Sequence, residues 1–340
     1  MPSYNFESQK VSARNLVLSP NSQLTPNEVI LLADMTRRQR FRGESVMELK
    51  TTRRSDKDMS GKGTEFAVDG QVTSFDSAFT CKAELDDWLA GYLFAFAMGT
   101  DTVTGSAAPY THAITFDEAT TQAWMTNVYI EDTAAVKTSY VDMAMSELTV
   151  SYASRGAVGV DWSMAGTGHN TPGALASLPA LASYAYLMNS DTVFALGASG
   201  SPASMIARFI SGTLKINTGV INHTAPGGGL YGLFMRWGLR KFSFEGVIAA
   251  KPTDDILTLL LNDTLCGLTI TTTSGALPSV LAVTIPNFKM KATVLATDGN
   301  MVTWKISLDE TTAFAIVGGS PVPALSVSVQ NSVAAYLVGV

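Results

Sequence analysis

Phe66-Ala67-Val68-Asp69-Gly70 and Phe242-Ser243-Phe244-Glu245-Gly246 are the stretches on which the reading of this chain turns. Both start on an aromatic residue and end on an acid followed by glycine. An acidic pair follows each, Asp86-Asp87-Trp88-Leu89 in one half and Asp254-Asp255-Ile256-Leu257 in the other. Upstream, Leu49-Lys50 and Leu214-Lys215 hold similar places. Downstream, the run from Thr149-Val150 to Trp162 resembles that from Thr293-Val294 to Trp304. Short matches recurring in one order predict an internal duplication: strand, strand, helix, strands and a closing hairpin, twice.

Working outward, the chain divides into an N-terminal arm (1–44), a first β unit (45–169), a linker (170–204) rich in Ala, Ser, Pro and Gly, and a second β unit (205–340). The arm carries the strongest charge run, Arg37, Arg38, Arg40 and Arg42. The linker is expected to hold one short element around 184–188. Alternating runs rich in Thr, Val, Ile and aromatics, bounded by Gly, Asn, Asp or Pro, read as strands. They fall at 45–52, 65–74, 111–116, 147–153, 158–164, 212–218, 240–249, 280–285, 289–296, 301–308 and 325–329. Helices are predicted at 82–98 and 253–263, because carboxylates favour helix N-termini and Thr253 is a capping residue after Pro252. Ile256, Leu257, Leu259, Leu260 and Leu261 suggest a broad buried face on the second. The expected core is Phe66, Trp88, Leu89, Trp162, Phe242, Ile256, Leu257 and Trp304. The fold class is therefore mainly β.

Of the 340 residues, 46% are hydrophobic and 15% charged, where soluble domains carry about a quarter charged residues. Such a shortage suggests a surface largely covered by neighbours. The net charge of -6 and the lack of a basic stripe argue against a nucleic-acid binder, but suit a surface that DNA passes without sticking. Cys81 and Cys266 lie far apart without CxxC spacing, which favours buried thiols over a disulfide. No secretory signal is visible at the N-terminus, and the longest apolar stretch, 88–98, is short of the about 20 residues a membrane span needs. Cytoplasmic synthesis without a membrane partner is the expectation.

Catalytic chemistry finds few candidates. His112, His169 and His223 lack the spacing that brings two imidazoles to one metal. The stretch from Gly227 to Gly232 fits GxGxxG formally, but Pro226 precedes it and a β-like run follows, so it reads as a loop. Adjacent aspartates on a helix do not face each other, so the two Asp-Asp pairs read as helix starts. No catalytic, cofactor-binding or metal-ligating residues are assigned, and the chain is not expected to be an enzyme. Two loops remain. One, 51–63, holds Arg53, Arg54, Asp56, Lys57 and Asp58; the other, 217–238, is glycine-rich with Tyr231, Phe234 and Trp237. They are either solvated hairpin loops or contacts to a neighbouring subunit, where apolar loop residues find a partner.

Over about residues 40–340 this arrangement resembles the tail tube protein family of siphophages. The likeness lies in the Phe-x-x-(Asp/Glu)-Gly strands, the acidic helix starts and the glycine-turn hairpins. Asp298-Gly299-Asn300, Trp304, Gly318-Gly319-Ser320-Pro321 and the segment 325–331 extend it. The resemblance implies two β-sandwich units, each with a flanking helix, whose sheets join between subunits into a closed barrel. Stacked rings would hold the tape measure protein, conduct DNA without specific binding, and end on tail terminator and distal tail proteins. The chain would be a virion tail component, assembled in the host cytoplasm. If both halves are units, three chains make a pseudo-hexameric ring; if they are lobes of one unit, six do. The former is favoured. A barrel of roughly 24 strands, spaced about 4.8 Å and tilted about 40°, has a backbone diameter of about 48 Å.

Two other classes stay open. One is another β-sandwich virion component (baseplate, capsid decoration or an adhesin-like binding module), of which an adhesin would be expected to show a clustered aromatic or metal-binding loop. A hydrolase on a β scaffold would need clustered His, Asp, Glu or Ser groups. If loop 51–63 stacks rings, reversing the charges of Arg53 and Arg54 shortens tubes seen by electron microscopy while leaving the melting temperature unchanged.

Overall fold

The computed structural model describes residues 8–12, 15–23, 25–27, 34–43, 45–55, 64, 66, 70–131, 137–173, 177–181, 185–205, 208–251, 255–274, 277–295, 302–313, 316–317 and 320–338. It is mainly β. In chain order the principal elements are β1 (Ser8–Ser12), β2 (Asn15–Leu18), β3 (Val46–Arg53), β4 (Val72–Glu84), α1 (Asp87–Met98) and β5 (Tyr110–Thr115). They continue with β6 (Thr126–Glu131), β7 (Lys137–Tyr152), β8 (Gly159–Gly166), β9 (Thr192–Ala198), β10 (Phe209–Asn217) and β11 (Lys241–Ala249). The last are α2 (Asp255–Leu261), β12 (Cys266–Ser274), β13 (Leu277–Leu295), β14 (Thr303–Ala313) and β15 (Ser326–Asn331).

Eight of these strands pair side by side, all antiparallel, in the order β3-β4-β8-β7-β10-β11-β14-β13. The first four and the last four follow the same connectivity. The sheet does not close on itself within the chain. Alternation sets its faces: Met47, Phe79, Trp162, Leu148, Ile216, Phe244 and Ile306 point inward and are buried, while polar residues at intervening positions point out.

The two longest strands each change partners along their length. The second half of β7 pairs with β8, and its first half with β6, which in turn holds β2. The break is at Asp142, a non-glycine residue at φ 58, in the left-handed region that Asp and Asn tolerate best. In β13, the end at Leu295 pairs with β14, while the start pairs with β12 and β15. Two strands expected at 280–285 and 289–296 are thus one. Pro286 sits where the β12 ladder shifts register, between the pairs Leu268–Ile285 and Cys266–Phe288; a missing N–H is tolerated at such a bulge.

The first helix starts later than expected, because 82–84 complete β4. Asp86 caps it, accepting a bond from the Leu89 N–H at 2.9 Å, and Gly99 ends it in the left-handed conformation at φ 98. Leu89 to Met98 are all buried, as expected for a helix apolar on every side. It packs against β5, β7, β13 and β15. α2 differs: Ile256 is buried, but Leu257 is 41% and Leu261 77% exposed. The broad buried face expected there is reduced to Ile256 with half-buried Leu259 and Leu260, because only one side of this short helix meets the sheet. Pro252, Thr253 and Asp254 lie outside the described residues.

Phe66 was expected in the core and is 79% exposed. The ladder between β3 and β4 begins only at the pair Arg53–Val72, so Phe66 precedes the strand. Phe242 and Phe244, by contrast, lie within β11. The aromatic-acid-glycine match therefore joins residues at different structural places. Leu89, Trp162, Ile256 and Trp304 are buried as expected. Trp88 and Phe242 are half-buried, Trp88 stacked on Tyr92 at 4.7 Å. The span 170–204 carries β9, paired with β12 across seven residues, where a single short element was expected earlier.

Gly91 lies against the Tyr336 ring, which leaves no room for a Cβ. Alanine there would gain up to about 1 kcal/mol of helix propensity. Overpacking a buried contact costs about 1–3 kcal/mol, so Gly91→Ala is expected to lower stability in denaturant melts.

Candidate assembly interface

The junction between the two four-stranded sets is β7 against β10. Tyr152 stands opposite Gly212, Val150 opposite Leu214, Leu148 opposite Ile216 and Glu147 opposite Asn217. Leu148, Val150, Leu214 and Ile216 are at most 1% exposed. On the outer face, Lys215 Nζ lies 2.9 Å from Glu147. Just beyond the ladder, the Thr218 hydroxyl donates to the Met145 carbonyl at 2.6 Å. Backbone ladder, apolar side chains and a charge pair thus all bridge the seam.

Asp142 sets the course of β7 toward this seam. Its Oδ1 accepts from Gln23 Nε2 at 2.8 Å and from the Asn27 N–H at 2.6 Å, and its Oδ2 accepts from the Thr167 hydroxyl at 2.6 Å. Its own N–H donates to Gln23 Oε1. His169 stands 3.4 Å away. A fully buried carboxylate is here surrounded by donors, as such a group requires.

The loop 217–238 crosses the seam and lies on the first half. Phe75 N–H donates to the Leu230 carbonyl, Gly232 N–H to Thr167, and Trp237 N–H to Thr121. Asn222 Nδ2 donates to Asp76 at 2.6 Å. Tyr231 stacks between Phe75 at 5.1 Å and His169 at 4.4 Å. Phe234 is half-buried beside His223. Trp237, expected on a protruding loop, is 8% exposed in a cluster with Ala123, Met125 and Ala144, under the Arg240 guanidinium at 5.1 Å. These aromatics dock within the chain because their loop folds back over its own first half. In the shorter loop, Arg53 and Arg54 are exposed, and Arg53 donates to the Gly70 carbonyl at 2.8 Å. Asp56, Lys57 and Asp58 lie outside the described residues.

The four arginines of the arm do not form one patch. Arg37 reaches Asp86 at 2.9 Å and covers the Trp88 ring at 4.7 Å. Arg38 donates to Asn15 and Arg42 pairs with Glu84; Arg40 is exposed and has a partner of its own. Burial pushes the Asp86 carboxyl up from its ordinary value, with Arg37 opposing that shift. Strand geometry splays the side chains of a run to both sides, and sequence spacing alone does not reveal it.

The outer face of the eight-stranded sheet is polar, and three of its lysines face acids. Lys82 lies 3.5 Å from Asp161, Lys305 lies 2.9 Å from Glu245, and Lys215 pairs across the seam as described.

Catalytic candidates are not brought together. His112 is buried between Asp101 Oδ1 at 2.8 Å and the Val333 carbonyl at 2.9 Å. No strand-loop-helix unit surrounds Gly227–Gly232. Among the described residues no group of His, Cys, Asp and Glu is placed to hold a metal. Cys81 and Cys266 are buried and free, and burial pushes the Cys81 thiol up to about 12. A cavity of about 600 Å³ beside α2 is lined by Leu196, Met205, Lys251, Asp255 and Leu259. Asp255 there is bound by Arg208 and Lys251. No helix among the described residues is long and apolar enough to cross a membrane.

The family model described as "Phage tail tube protein" matches residues 19–330. A search of curated proteins finds no match. The seam itself had no sequence signal, since both its strands carry ordinary alternation. Asp142→Asn keeps the left-handed backbone but leaves one amide oxygen where two carboxylate oxygens accept three bonds. A loss of about 1–3 kcal/mol in denaturant melts is expected, the cost of unpairing buried polar groups.

Proposed function

Because the chain belongs to the phage tail tube protein family, we propose that three copies close into a pseudo-hexameric ring, and that rings stack into the tail tube. Family membership makes the protein a structural component of the virion tail that assembles with itself; the ring architecture is the finer reading. The observation that carries it is the β7–β10 seam. Two sets of four strands with one connectivity are already joined edge to edge inside the chain. Three chains of eight strands supply the roughly 24 strands of the barrel estimated from strand spacing and tilt. Barrel closure removes the open edges that otherwise invite uncontrolled pairing.

The polar outer face of the eight-stranded sheet would line the lumen. Lysines that already face carboxylates there offer phosphates little net attraction, whereas unpaired cations would bind DNA and slow its passage. This supports a lumen that holds the tape measure protein and then conducts DNA. Loops 51–63 and 217–238 would border adjacent rings, with tail terminator and distal tail proteins at the tube ends. Burial of Trp237 and the stacking of Tyr231 on Phe75 and His169 favour a role in bracing the seam for the longer loop, which leaves Arg53 and Arg54 as the stronger candidates for ring contact.

Electron microscopy of the purified protein across a concentration series tests the proposal. Hollow rings or tubes with a ring mass of three chains are expected. A six-chain ring mass would refute the trimer, and separate particles at the highest concentration would favour a binding module.

A further inference from the structure

We propose that the exposed face of α2 is a docking surface for a second copy of this chain, and that in the ring the start of β7 and the short strand Asn170–Pro172 of that copy cover it. The inference rests on the ring reading above. Its basis is that the chain already contains one such contact, made across its own seam.

The duplication extends beyond the eight-stranded sheet. In the first half, β2 pairs with β6, β6 with the start of β7, and the start of β7 with Asn170–Pro172. In the second half, β9 pairs with β12, β12 with the start of β13, and the start of β13 with β15. The two rows take their strands from the same places in chain order. Each half also carries its helix at the same place, α1 after β4 and α2 after β11. Asp87 opens one and Asp255 the other. Leu89 therefore corresponds to Leu257, and Leu93 to Leu261.

The two helices differ in what reaches them from across a seam. α1 rests on β7 of its own half and is also covered by β13 and β15 of the second half. Asn331, at the end of β15, donates from Nδ2 to the Asp87 carbonyl at 3.0 Å, and the Tyr336 ring lies against Gly91. Leu89 and Leu93 are 0% exposed as a result. α2 rests on β13 of its own half in the same way, but its far side faces water. Leu257 is 41% exposed and Leu261 77%.

The step that carries the first half onto the second carries β13 and β15 onto the start of β7 and Asn170–Pro172 of the next copy. That segment presents a surface to meet α2, because Lys137, Thr171, Pro172 and Gly173 are exposed. The contact joins different surfaces of two copies, so repeating it builds a ring, where a contact between identical surfaces would stop at a pair. Leucines held in water on the free chain gain from the burial that the neighbour supplies.

Leu261 is exposed in the free chain, so Leu261→Glu is expected to leave the melting temperature unchanged. In the ring it puts a carboxylate into an apolar contact, and the protein concentration at which rings or tubes appear by electron microscopy is expected to rise about tenfold or more. Assembly at the wild-type concentration would overturn the docking role. Two full-length single-cysteine variants, Leu261→Cys and Thr171→Cys, test the partner segment, the native thiols being buried. Co-assembled and treated with a flexible bis-maleimide, the mixture is expected to give covalent dimers on a denaturing gel, while either variant assembled alone gives none. Assembled mixtures without dimers would refute the assigned segment. A wild-type chain that never assembles would remove the ring reading and this inference together, whereas assembling wild type beside an unaffected Leu261→Glu removes the inference alone.

Discussion

A strand edge is a row of backbone donors and acceptors that must find partners, and this molecule is arranged around where its edges go. Within the chain the edge of β7 is satisfied by β10, so two sets of four strands become one sheet. Each seam residue contributes in two ways. Its backbone completes a ladder, and its side chain extends either the apolar inner layer or the polar outer one. The result is a wall whose two faces differ in chemistry along its full width, apolar toward the core and polar toward water.

The interior beneath that wall depends on two long strands that leave it. β7 changes partners at Asp142 and the β13 ladder shifts register at Pro286. A bend in the middle of a ladder leaves polar groups that must be met locally. Gln23, Asn27 and Thr167 meet those of Asp142, while a proline has no N–H to satisfy. α1 fills the space between and touches strands from both halves. β15, late in the chain, pairs with β5, early in it. The halves are therefore interleaved, and relative movement at the seam would have to break the core.

Much of the local structure was legible beforehand. Strand alternation located β3, β8, β10, β11 and β14 within a few residues. The acidic start of α1 was readable because Asp86 caps it as carboxylates cap helices generally. Less legible were features that depend on what lies opposite. Phe66 looked like Phe242 because both precede an acid and a glycine, yet the β3–β4 ladder begins after Phe66. Trp237 looked like a contact residue because it sits in a glycine-rich loop, but that loop folds back and buries it. Leu257 and Leu261 looked like core because they are leucines on a helix, and only one face of α2 meets protein.

The sequence by itself determined the β class, the places of the two helices, and the resemblance to tail tube proteins, because alternation, capping and turn chemistry act over a few neighbouring residues. Tertiary structure alone decided which strands pair across the seam and which aromatic residues of the long loop are buried. Those outcomes depend on backbone groups far apart in the chain, and every residue but proline offers the same backbone donor and acceptor. Pairing between distant strands therefore leaves little trace in the order of side chains until the chain has folded and one edge has met another.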